Sequence, residues 1–204
     1  MSTAHRMNLA NHFLIAMPGM EDDLFGRSVI YVCEHNEHGA LGLIINKPGG
    51  ISMRDLFERV DLPLVRDDLE VQPVFHGGPV QTERGFVLHD PVIAEGLAPD
   101  ETIYASTLAV PGGLEMTTSR DVLEAMSSGG GPRRASVMLG YSAWGAGQLE
   151  DEIADNAWLT VDADASLVFD VPVPQRYERA LALLAAARSP AAAAPARLCA
   201  NQDG

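Results

Sequence analysis

The stretch from Arg27 to Asn46 constrains the fold more than any other part of the chain. RSVIYVCEH (27–35) is dense in β-branched and aromatic residues, and ALGLIIN (40–46) is a second apolar run. The short polar link HNEHG, closed by Gly39, joins them. Two β-prone runs so close together predict a β-hairpin, and therefore an antiparallel sheet near the N-terminus. HFLIAM (12–17), ended by Pro18-Gly19, reads as a buried strand beside it, and KPGG (47–50) closes the hairpin.

Helical periodicity enters next. Ser52 with Asp55 forms a capping-box pattern ahead of an apolar stripe, Met53, Leu56, Phe57 and Val60. Ser119 is placed to cap RDVLEAMSS, where Val122, Leu123 and Met126 share a face before Gly129–Gly131 and Pro132 stop the helix. A third helix starts near Gln148 with Leu149 and Ile153 inward, and QRYERALALLAAAR (175–188) predicts a last one. VFH (74–76), RGFVLHD (84–90), IYAS (103–106), LEMTT (114–118), ASVMLGYSAW (135–144), WLTV (158–161) and SLVFDV (166–171) read as strands. Hairpins dominate the first ninety residues, so the expected class is α+β with a mixed, largely antiparallel sheet. Residues 1–188 read as one domain, and the Ala/Pro-rich segment 189–204 as an unstructured tail.

Charge narrows the function classes. Fourteen basic residues against 28 acidic ones leave a formal charge of −14. Neutralising a phosphate backbone needs clustered Lys and Arg, so direct nucleic-acid binding is disfavoured, as is adsorption to an anionic membrane. No run approaches the roughly 18 apolar residues of a membrane span. The two cysteines, Cys33 and Cys199, are too few for a disulfide framework, which fits a reducing, cytoplasmic setting. No GxGxxG, no GxxxxGK[ST] and no CxxC pair is present, so no cofactor or metal is expected.

Strand alternation puts Cys33 and His35 on one face, as a nucleophile and its base would require. Residues i and i+2 stand about 7 Å apart, however, and a Cys in an apolar strand usually packs as a small hydrophobe. Cys33, His35 and His38, with His76 and His89 as outside ligands, match no structural zinc spacing. In VFHGGPV, Gly77 and Gly78 after a strand are able to form an N–H nest for an anion or oxyanion, with Arg84 supplying charge; a tight turn before Pro79 is the simpler account of them. Ser142 sits in GYSAWG, where Trp144 occupies the position at which a nucleophile elbow needs glycine. Lys47, the sole lysine, follows Asn46 at a strand end. The acidic residues of Glu150–Asp155 suit a helix first turn.

Several ordered blocks together carry a more specific signal: NHFLIAMPGM (11–20), SVIYVCEHNEHGALGLIINKP (28–48), VFHGGPV (74–80), RGFVLH (84–89) and LGYSAWGAGQLEDEIADNAWL (139–159). Across residues 7–160 the chain resembles the AlgH/YqgE family, a widespread bacterial group with no assigned reaction. The resemblance implies a curved, partly barrel-like sheet with packed helices, in a cytoplasmic protein. Some members bear the label of transcriptional regulator. With no helix-turn-helix and no basic stripe, regulation here is expected to run through a protein or a small ligand. The Ala/Pro tail departs from the family's usual short closing segment.

The expected function is therefore a non-enzymatic regulatory or ligand/protein-binding module. Its surface would collect polar turns at strand ends: Glu34, His35 and Asn36; Asn46 and Lys47; His76, Gly77 and Gly78; Arg84; Tyr141 and Ser142. The competing expectation is a small hydrolase or thiol-dependent enzyme using Cys33 or Ser142 with His35 or His76. Both require these corners to meet in a recess.

Overall fold

The computed structural model describes residues 8–93, 96 and 102–188. The expected unstructured tail from Ser189, including Cys199, lies outside the described residues. In chain order the strands are β1 (His12–Ala16), β2 (Val29–Asn36), β3 (Gly39–Ile44), β4 (Pro48–Ser52), β5 (Pro73–His76), β6 (Val80–His89), β7 (Thr107–Ala109), β8 (Glu115–Thr117), β9 (Ala135–Gly145) and β10 (Trp158–Asp162). The helices are α1 (Met53–Arg59), α2 (Asp67–Glu70), α3 (Asp121–Ser127), α4 (Gln148–Ala154), α5 (Ala165–Phe169) and α6 (Arg176–Arg188).

The strands form one curled, largely antiparallel sheet in the order β10-β1-β2-β3-β9-β6-β8-β7. β5 runs parallel to β9, and β4 pairs with β5 off the main path. β9 is the hub. It pairs with β3 along its C-terminal half and with β6 from Ala135 to Tyr141.

The curl shows in how the core divides. On the inner face one continuous cluster joins Phe13 and Ile15 of β1, Tyr31 of β2, Phe86 and Leu88 of β6 and Met138 of β9 with Leu167 of α5 and Ala180 of α6. The outer face splits in two. Ile30, Val32, Trp144 and Trp158 pack under Leu149 of α4, while Val74, Val87 and Val137 pack under Phe57 of α1 and Met126 of α3. Each large apolar side chain buried this way contributes about 1.5–3 kcal/mol. The Tyr177 hydroxyl fastens α6 by donating to the Ala16 carbonyl at 2.7 Å.

Most sequence expectations meet their elements, including the Ser52–Asp55 capping box. Three differ. IYAS (103–106) is not a strand, because the Ala105 and Ser106 N–H groups donate to the side chains of Asp121 and Ser119 rather than to a ladder; pairing starts at Thr107. SLVFDV is not a strand either. The Asp164 side chain accepts from the Ser166 N–H and opens α5, whose adjacent Leu167 and Val168 are both buried. Ser119 does not cap α3: the N-cap position is Arg120, and the Ser119 hydroxyl bonds to Asp121. KPGG follows the end of the β2–β3 hairpin at Ile44 as expected, and Pro48–Ser52 then opens a separate strand, β4, on β5.

Candidate functional site

Three irregularities in strand register build the site. In β2, Val32 pairs with Gly42 and Glu34 with Leu41, so Cys33 is an extra residue. A single inserted residue inverts the facing of everything after it. Cys33 therefore packs in the inner cluster, while His35 turns outward and accepts the N–H of Leu9, a residue of an outer cluster. The expected shared face of Cys33 and His35 is overturned by this bulge. In β9, Met138 faces in and Leu139 out, but after Gly140, at φ +74°, Tyr141 faces in again. In β6, Val80 pairs with Tyr141 and Gly85 with Leu139, so residues 81–84 loop out, with Gln81 at φ +46°.

All three irregularities deliver side chains to one groove of about 390 Å³, lined by Glu34, Arg84 and Tyr141 over Leu41, Phe86 and Met116. The Arg84 guanidinium stands 5.6 Å from the Phe86 ring centroid, and that ring lies 5.3 Å from Tyr141. Arg84 donates to the Thr118 hydroxyl at 3.2 Å and to the Gln81 side-chain carbonyl at 3.4 Å. Among the described residues no carboxylate pairs with it. The Glu34 carboxylate accepts from Asn36 at 2.6 Å. The groove thus offers one cation and one anion above an aromatic and aliphatic floor.

The other predicted positions go elsewhere. His35 accepts the Leu9 N–H on Nδ1 at 3.0 Å, which places its proton on Nε2, donating to Glu150 at 3.2 Å. His35 and Asn36 border a separate recess beside the start of α4. Asn46 accepts from the Val29 N–H and donates to the Arg27 carbonyl, both at 2.8 Å, and Lys47 donates to the Gly26 carbonyl at 2.7 Å. Both side chains therefore clamp the loop before β2. His76 gives its N–H to the Lys47 carbonyl, and its imidazole has no hydrogen bond or ion pair among the described residues.

Gly77 is not free to act as an anion nest: its N–H donates to Leu139 at 2.9 Å and its carbonyl accepts from Ile44. A Cβ at Gly77 would lie 2.2 Å from the Gly140 carbonyl oxygen, and one at Gly78 would lie 2.2 Å from the Tyr141 carbonyl carbon. These glycines let the β5–β6 connection pass flush against β9.

Neither predicted nucleophile is activated. Cys33 is 1% exposed, burial pushes its thiol upward, and its sulfur lies 3.8 Å from the Tyr31 carbonyl. Ser142 is buried and donates to the Gly77 carbonyl at 3.4 Å. No imidazole bonds to either among the described residues. Within those residues no group of three or more His, Cys, Asp or Glu side chains is arranged to hold a metal, and no helix is long and apolar enough to cross a membrane. The floor residues Phe86 and Met116 escaped the sequence reading. The alternation in RGFVLH does carry a signal, since it sets Arg84, Phe86 and Leu88 on one face.

Comparisons with known proteins agree with this architecture. The AlgH-like family profile matches residues 13–188. Proteins named UPF0301 from Delftia acidovorans and Variovorax paradoxus are each 65% identical over 178 residues, covering 87% of this chain and 89% of theirs. The solution structure of AlgH from Pseudomonas aeruginosa aligns with a TM-score of 0.71 at 45% identity, over 90% of this chain and 93% of that one. A crystal structure from Corynebacterium diphtheriae, 24% identical over 78% of each chain with a TM-score of 0.59, shares the fold. On this evidence the chain belongs to the AlgH-like family.

Proposed function

We propose that the chain is a non-enzymatic binding module of regulatory type, working through the groove of Glu34, Arg84 and Tyr141. The observation that carries this reading is Arg84, an exposed guanidinium over the Phe86 ring with no carboxylate partner among the described residues. Such a group suits a carboxylate borne by an aromatic or aliphatic body, the ring adding cation–π attraction to the bidentate fork. Glu34 in the same groove suits an amine on the same ligand. A small zwitterion or a peptide terminus satisfies both. The charge of −14 supports regulation through such a partner rather than through direct contact with nucleic acid.

The test is an amide-shift titration of the full chain with L-phenylalanine, phenylacetate and phenethylamine. Phenylalanine should perturb Leu41, Phe86 and Tyr141 most. Arg84→Ala should weaken it about tenfold, the size of one charge-assisted contact. Glu34→Gln should act on phenylalanine and phenethylamine but leave phenylacetate unchanged. Shifts scattered over the surface, or indifferent to Arg84→Ala, refute the groove as the binding site.

A further inference from the structure

A second recess, sharing no lining residue with the groove, lies where the start of α6 meets β5 and β9. Its volume is about 390 Å³. At its base is Arg176, only 5% exposed. The guanidinium donates to the Ile45 carbonyl and, at 3.0 Å, to the Val171 carbonyl, and stands 5.1 Å from the Phe75 ring centroid. Among the described residues no carboxylate is within ion-pair distance. Burial pulls its pKa down to about 10, with no neighbouring charge to offset it.

The surroundings are equally one-sided. The two carboxylates lining the recess are already answered: Arg134 engages Asp170 at 2.8 Å as well as Asp90, and Arg66 engages Asp68 at 2.7 Å. Arg133, exposed at the rim, pairs with no carboxylate among the described residues. Ser136 also lines the recess and is 5% exposed, yet its hydroxyl has no hydrogen-bond partner among the described residues. A buried cation without a counter-charge is costly, and a bound anion removes most of that cost. The Phe75 and Phe169 rings supply apolar walls beside these donors.

We propose that this recess is a binding site for a small organic oxyanion, a phosphate monoester or a carboxylate on a compact apolar body. Arg176 and Arg133 grip the charged oxygens, Ser136 donates its hydroxyl, and the apolar body lies along Phe75 and Phe169. A guanidinium presents a planar fork that matches both headgroups. The volume falls within the range of about 300–1,000 Å³ that small-molecule sites occupy.

Calorimetric titration of the full chain at low salt, with phenyl phosphate, benzoate and uncharged benzyl alcohol, tests the site. One or both anions should bind and the alcohol should not, and the tighter anion names the headgroup. Arg133→Ala should weaken the anion about fivefold to tenfold, and Ser136→Ala about threefold, as expected for one charged and one neutral hydrogen bond. Arg176→Met should abolish binding. If that variant is unfolded by circular dichroism, the Arg133 and Ser136 variants decide alone. Repeating the titrations in the Arg84→Ala chain, whose groove is weakened, should leave an anion-binding event that still responds to Arg133→Ala and Ser136→Ala, which separates this site from the groove. Failure of both anions to bind at about 10 mM overturns the proposal. Binding unmoved by Arg133→Ala and Ser136→Ala overturns it too.

Discussion

Arg84 and Arg176 each stand over a phenylalanine ring, at 5.6 and 5.1 Å, and neither pairs with a carboxylate among the described residues. Their surroundings differ. Arg84 is exposed and leans on two side chains, Thr118 and Gln81, whereas Arg176 is buried and holds two backbone carbonyls from separate segments, Ile45 and Val171. The same side chain is therefore a removable attachment in the groove and part of the scaffold in the recess. Affinity and stability should separate cleanly at the first position and fail together at the second.

The largest expected effect strikes both regions at once. Gly78→Ala drives a Cβ against the Tyr141 backbone, in the strand that carries Tyr141 to the groove and Ser136 to the recess. It should cost about 3–5 kcal/mol, or prevent folding, by urea denaturation. Arg176→Ala comes next, at about 2–4 kcal/mol, from two orphaned carbonyls and a new cavity. Arg84→Ala should stay within about 0.5 kcal/mol. Equal losses at the two arginines would erase the contrast.

A smaller, pH-dependent effect sharpens it. His89 lies between the regions, its Nδ1–H donating to the Asp90 carbonyl at 2.7 Å and its Nε2 accepting from the Thr117 hydroxyl at 2.9 Å. Asp90 holds Arg134 at the recess, and Thr117 adjoins Thr118 under Arg84. Burial, before any other cause, depresses the His89 pKa. The unfolded chain thus binds the proton more readily than the folded one. Stability is complete above the ordinary imidazole pKa of about 6.5 and falls as pH drops through it toward the lower folded value. His89→Gln should flatten that slope in melting curves between about pH 7 and 5.

Apolar runs made the hairpin and β9 legible, because strand and helix periods are written in side-chain type. The register slips at Cys33, Gln81–Arg84 and Gly140 were not, since one added residue alters facing without altering composition. SLVF was ambiguous for the related reason that four apolar residues suit either a buried strand or a short helix. Of the polar turns at strand ends, those bearing Glu34, Arg84 and Tyr141 share one groove. Asn46 and Lys47, at another strand end, spend their side chains on nearby backbone, because residue type does not reveal which acceptor a donor will find. Arg176 was readable. It sits four and eight residues before Ala180 and Leu184 on the stripe that α6 buries, a place where an arginine needs a reason.

The kink at Gly140 also makes a single backbone angle decide which side chains β9 shows to each side. Were Gly140 to adopt ordinary extended backbone, plain alternation would turn Tyr141 through Gly145 inside out, sending Trp144 into the sheet's hollow and Tyr141 to its convex side. The left-handed backbone at that one position is then as demanding a requirement as the side chains around it, because a residue kept there without its kink would exchange this tyrosine and this tryptophan between the two faces.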